Sequence, residues 1–167
     1  MLKTTGVPND QDLDGVFPPQ ERLGKGPVVV VECFETIPCN PCYTACHFGG
    51  IEAFKDITDL PTIDFEKCNG CTLCISNCPG LAIMVIDYQY HKDYVKMTIP
   101  YEFFPLPKEG EWVKGLDRRG EVVINVQVIL VKNAKHQDKT PLISIAVPKA
   151  HFKKLRNIEV GDSNDQS

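Results

Sequence analysis

All eight cysteines of the 167-residue chain lie between Cys33 and Cys78. The last four read Cys68-x2-Cys71-x2-Cys74-x3-Cys78-Pro79. At that spacing three thiolates wrap one iron-sulfur cube within a tight loop, and the fourth points away to a second cube. Asn69 and Gly70 suit the loop, because the backbone has to turn sharply and bring its amides toward sulfur. The first four are spaced Cys33-x5-Cys39-x2-Cys42-x3-Cys46. Set against itself at an offset of 32, the chain places Cys39, Cys42, Cys46 and Ile51 on Cys71, Cys74, Cys78 and Ile83. Two related halves follow. Thr36 stands where the partner of Cys68 belongs, so Cys33 takes that role.

Crossing the last cysteine of each half, as the motif requires, gives two complete sets. Cluster one receives Cys33, Cys39, Cys42 and Cys78, and cluster two receives Cys68, Cys71, Cys74 and Cys46. Each cysteine is used once and none is left free to oxidise. The long spacer after Cys33 leaves two forms open for cluster one, a full cube and a three-iron form. His47 adjoins a ligand of cluster two; a solvent-facing histidine is the simpler expectation, and a donor to sulfur that couples potential to pH is the other. Two zinc sites compete as a reading, since paired C-x2-C elements also build ribbons and knuckles. A third cysteine two residues on and a fourth followed by proline favour iron-sulfur.

Other chemistries lack their residues. No G-x-G-x-x-G follows a strand, GKGP (24–27) lacks the helix of a phosphate site, and no P-loop occurs. His91, His136 and His151 lie in polar stretches without a matching nucleophile and read as solvated. No apolar run approaches the roughly 20 residues of a membrane span, and no signal peptide is legible at the N-terminus. A cytoplasmic location is the expectation, and it too favours metal over disulfides for these thiols. Without a catalytic group of its own, the chain reads as a non-catalytic electron relay for redox centres on another polypeptide.

The elements that must hold the cysteines follow from the flanking pattern. Residues 1–27 read as an extended N-terminal arm rich in proline and glycine. VVVVECF (28–34) reads as a strand entering a loop, LAIMVIDYQY (81–90) as a second strand pairing with it, and 51–55 as a short helical turn. Residues 28–88 then form one unit. Beyond it, DYVKMTIPY, EWVKGL, EVVINVQVILV and PLISIAV alternate with turn residues, which predicts a small antiparallel β-barrel over 89–160, OB-like or SH3-like. A short amphipathic helix is expected over 148–158, and a disordered tail over 161–167. The fold class is α+β.

Charge divides at the same place. Residues 32–87 carry 2 basic and 8 acidic side chains, and residues 88–160 carry 13 basic and 8 acidic. The basic unit, with KNAKHQDK and KAHFKKLR, suits docking to an acidic subunit. Tyr88, Tyr90, Tyr94 and Trp112 make nucleic acid the rival partner, although barrel core is the simpler role for them. PYEFFPLPKEGEW (100–112) reads as a partner-contact loop, with Phe103 and Phe104 plugging the barrel as the equal alternative.

Residues 28–88 resemble a bacterial-type ferredoxin domain with two 4Fe-4S clusters, with His47 replacing the proline that Pro79 supplies in the second half. The resemblance implies a pseudo-twofold repeat, a short helix after each cysteine loop and one-electron transfer. More weakly, ECFETIPCNPC and the domain order resemble iron-sulfur subunits of flavin-dependent amino- and imino-acid dehydrogenases of anaerobic bacteria. That likeness implies flavoprotein dehydrogenase subunits as partners and electrons crossing between flavins. A free-standing ferredoxin with an added docking domain and a zinc-dependent nucleic-acid-binding protein are the alternatives.

Overall fold

The computed structural model describes residues 2–161. Four consecutive valines are all buried in the first strand, β1 (Val28–Val31), and the reason organises the molecule. Side chains alternate across a strand, and β1 has a core on each face. Val28 and Val30 join the large apolar core, whereas Val29 and Val31 face a second cluster that includes Cys42, Cys74, Ile51 and Ile75. β2 (Ile83–Asp87) repeats the arrangement, with Met84 and Ile86 on one side and Ile83 and Val85 on the other. A strand buried on both faces reads as a continuous apolar run, as VVVV and IMVI do.

β1 pairs antiparallel with β2, from Val28 opposite Ile86 to Val31 opposite Ile83. The sheet does not stop there. β2 also pairs with β3 (Tyr94–Pro100), and further strands complete a seven-stranded antiparallel sheet in the order β1-β2-β3-β6-β5-β4-β7. These are β4 (Trp112–Leu116), β5 (Val122–Lys132), β6 (Leu142–Pro148) and β7 (Asn157–Glu159). β3 therefore bonds to β6 rather than to its sequence neighbour β4. In the interior of that contact Thr98 and Ser144 lie opposite one another and share a buried 2.8 Å hydroxyl hydrogen bond. β5 shifts register against β6 between Val128 and Leu130 and against β4 near Leu116, bulges that increase local twist. All seven strands send residues into the large core, so the sheet curls around a common interior. The expected strands of the C-terminal region are present, within one sheet that runs through residue 88.

Edge strands β1 and β7 approach each other through side chains. Glu32, immediately after β1, accepts two hydrogen bonds from Arg118 at 2.6 and 2.9 Å and lies 3.4 Å from Arg156, just before β7. All three side chains are largely withdrawn from solvent.

Three expectations for the secondary structure fail for identifiable reasons. Of the arm expected over 1–27, the described residues 2–27 are not extended: α1 (Leu2–Thr5), α2 (Gln20–Leu23) and intervening turns fold it, because Val16, Phe17 and Leu23 bury against the core. Residues 51–55 form no helix; Ile51 bridges to Ile63 instead, carrying the apolar side chain under the cysteine loops. The segment 148–158 forms turns followed by β7, since Phe152, Leu155 and Ile158 all enter the core and Ile158 pairs with Gly115. Of the expected tail, residues 162–167 lie outside the described residues.

Candidate metal centre

Two short helices carry the repeat. α3 (Pro41–Thr44) follows Cys39 and α4 (Leu73–Asn77) follows Cys71, at equivalent places in the two halves, and the helices pack together. Each holds one buried cysteine, Cys42 and Cys74. Pro41 sits in the first turn of α3, where its missing N–H costs nothing. Asn69 turns the second loop, accepting the Cys71 amide on its side-chain oxygen at 3.1 Å. Gly70 has φ +67°, and a Cβ there would lie 2.6 Å from Pro27, so only glycine fits between the loop and the arm. A Cβ on Gly50 would lie 3.0 Å from Cys68 Cα, closer than ordinary packing, though without the positive φ of Gly70.

The eight thiols gather into two groups. Cys33, Cys39, Cys42 and Cys78 line one cavity with Ile37, Phe54 and Pro79. Cys46, Cys68, Cys71 and Cys74 line a second with Val29, Phe48 and Val85. Each group takes three cysteines from one half of the repeat and one from the other. Cys33 reaches its group because the β1–β2 ladder continues past β1, the Glu32 amide donating to the Ala82 carbonyl at 2.8 Å. That pairing sets Cys33 beside the loop that carries Cys78.

Backbone amides point at sulfur in both groups. Val29 N–H donates to Cys68 Sγ at 3.4 Å, Ile51 N–H to Cys46 Sγ at 3.3 Å and Ala82 N–H to Cys78 Sγ at 3.4 Å. Burial pushes the free thiols up, Cys42 to about 11 and Cys74 to about 12, and the other cysteines of each group add to the rise. Cys33 moves up for the same first reason, with Cys78 and Cys39 contributing. Among the described residues no three Cys, His, Asp or Glu side chains converge closely enough to hold a single ion. Grouped thiols met by backbone N–H donors suit iron-sulfur ligation.

The histidines lie apart from this chemistry. His47 is exposed and takes no part in the amide-to-sulfur bonds. His91 and His136 are exposed, as expected, but His151 is half-buried with an unpartnered Nδ1. Basic residues expected on a docking face are partly internal. Arg156 holds Glu32, Lys149 lies 4.2 Å above the Tyr88 ring, and Lys153 lies 5.6 Å from the ring of Phe17. Tyr88 packs edge-on against Phe152, while Tyr90, Tyr94 and Trp112 are exposed. Phe104 is 92% exposed and Phe103 56%, so neither plugs the interior.

Sequence reasoning missed the arginines around the sites. Arg22 donates to the Cys68 carbonyl at 2.6 Å, and Arg156 Nη2 donates at 2.8 Å to the Leu81 carbonyl near Cys78. Glu32 carried a signal in its place beside Cys33; the arginines, distant in sequence, carried none.

Residues 61–84 match the protein family described as the 4Fe-4S binding domain, Fer4. The match contains Cys68, Cys71, Cys74 and Cys78, the group with the regular spacing. Over 104 residues, 59% of this chain and 33% of the relative, the sequence is 30% identical to a subunit of the selenate reductase of Mesobacillus selenatarsenatis. Over 47 residues, 28% of this chain and 52% of the relative, it is 36% identical to the PorD subunit of the pyruvate synthase of Methanocaldococcus jannaschii. The chain thus spans about a third and about half of the lengths of these two curated relatives. No solved structure matches. Among the described residues no helix is long and apolar enough to cross a membrane. The chain therefore contains a ferredoxin-type 4Fe-4S binding segment and is similar to subunits of a selenate reductase and of a pyruvate synthase.

Proposed function

We propose that this protein is the electron-transfer subunit of a multi-subunit oxidoreductase and holds two 4Fe-4S clusters. One is ligated by Cys33, Cys39, Cys42 and Cys78, the other by Cys46, Cys68, Cys71 and Cys74. The observation that carries the reading is the sorting of eight thiols into two cavities of four. A bound cluster supplies one reversible electron at a time. The chain's own residues hold its sulfurs, aim N–H donors at them and cover them with Val29, Ile51, Ile83 and Val85. Both relatives are subunits of larger enzymes by name, which favours a subunit over a free carrier. The partner we propose is a flavoprotein dehydrogenase of amino or imino acids in the cytoplasm, contacted through the loop that displays Phe103 and Phe104. Residues 28–88 act as the ferredoxin unit and residues 89–160 as a barrel-like docking unit.

The test is anaerobic isolation of the tagged protein from its host, with iron, sulfide, zinc and flavin assayed in the pure fraction. Iron and sulfide equivalent to two cubes, together with a stoichiometric flavoprotein, are expected. A zinc-loaded chain would sink the cluster assignment, and an iron-rich chain eluting alone would make it a mobile carrier.

A further inference from the structure

Arg22 is 5% exposed, and its hydrogen bonds go to neutral acceptors. Nε donates to the Phe65 carbonyl at 2.6 Å, Nη1 to Gly26 at 3.1 Å, and Nη2 to Pro27 at 3.0 Å and Cys68 at 2.6 Å. Among the described residues no carboxylate pairs with it; the nearby Glu66 is engaged by Lys25 on the surface, at 3.0 Å. A buried guanidinium without a counter-ion is costly even when its N–H groups are satisfied. Elsewhere in the molecule buried arginines have an anion: Arg118 and Arg156 share Glu32. The unmet charge of Arg22 lies against the backbone of Cys68, whose sulfur accepts the Val29 amide.

Four thiolates around an iron-sulfur core leave the assembly net negative, and more so by one electron when reduced. We propose that Arg22 is the positioning residue and fixed counter-charge of the cluster on Cys46, Cys68, Cys71 and Cys74, an inference that rests on the two-cluster reading above. The arm brings the charge in: Pro18 and Pro19 lead into α2, α2 buries Arg22, and Pro27 packs on Gly70 of the ligand loop. A fixed cation stabilises the reduced state more than the oxidised state and so raises that cluster's reduction potential. The low dielectric of a buried site keeps the effect from being screened.

The experiment is a redox titration monitored by electron paramagnetic resonance on the full-length protein, as wild type, Arg22→Gln and Arg22→Lys, with iron and sulfide counted in each. Wild type should show two reducible centres. Arg22→Gln should move one step to lower potential and leave the other in place, and Arg22→Lys, which keeps the charge, should restore the moved step. If Arg22→Gln loads poorly, Arg22→Met replaces it as a second neutral variant, whose unbranched apolar side chain adds no polar side-chain group to the buried site although the four carbonyls lose their donor; the same shift is expected. Both steps at wild-type potential in the neutral variants would overturn the proposal, as would an equal shift in Arg22→Lys and Arg22→Gln. Loss of the centre from all three variants with the fold intact would also overturn it, by assigning Arg22 to assembly alone. Fewer than two centres in the wild type is a different failure, that of the two-cluster reading.

Discussion

Cys33 shows how one residue depends on both local and distant sequence. Its spacing to Cys39 departs from the regular motif, yet it joins Cys39, Cys42 and Cys78 around one cavity. Under the proposed assignment Cys71→Ala removes a ligand from the other cavity. About half the iron should be lost, with a drop in stability, because ligation is part of folding in small metal-binding units; unchanged iron content would show that Cys71 is no ligand. The thiols also set a pH dependence. Buried Cys42 and Cys74, pushed up to about 11 and about 12, keep their protons near neutrality in the metal-free chain. Metal binds the thiolate, so each of these ligands gives up a proton on loading. Uptake of iron and sulfide by the metal-free protein should therefore strengthen from neutral toward alkaline pH, with net proton release measurable by a pH indicator. Uptake indifferent to pH would mean that thiol ionisation does not limit assembly.

At the scale of elements, β2 is the strand on which both regions depend. It pairs with β1 on one side and β3 on the other, and its faces serve two cores. Ile86 is fully buried in the large core. Ile86→Ala should cost about 2–5 kcal/mol, the range for truncating a buried aliphatic side chain. Since the sheet is continuous, the absorbance of the clusters and the circular dichroism of the sheet should be lost together on heating. Separate transitions would show that the cysteine-bearing unit and the rest of the sheet unfold independently. The arm is a second such element. Its residues 1–27 look structureless in sequence, because Val16, Phe17 and Leu23 pack on a core built by later segments and Arg22 takes two of its four acceptors, Phe65 and Cys68, from far along the chain.

On the scale of the whole molecule, the Glu32 ion pairs tie the two sheet edges together. Glu32→Gln leaves Arg118 and Arg156 without their carboxylate, and breaking a buried pair by removing one partner costs roughly 3–5 kcal/mol. Chemical denaturation should show the loss at constant slope, whereas an unchanged midpoint would mean that the edges are held by packing alone. A surface variant separates stability from association. Phe104 is 92% exposed, so Phe104→Ser should leave the melting temperature of the isolated chain unchanged. If this loop meets the proposed partner, the same variant should weaken the complex about tenfold or more, as loss of an aromatic anchor does.

What the sequence determined by itself is local. The two C-x2-C-x3-C runs, the offset repeat, the apolar runs of β1 and β2 and the strand segments of β3 to β6 are all legible, because loop spacing and side-chain alternation act within a few residues. Tertiary structure decided what joins across long separations. Register between β1 and β2 put Cys33 beside Cys78, pairing of β2 with β3 carried one sheet across the boundary where the charge changes sign, and core burial turned an expected helix at 148–158 into turns and a strand. Arg22 and Glu32 belong to the same class. Burial and counter-charge are properties of the space around a side chain, and that space is built here by segments dozens of residues apart.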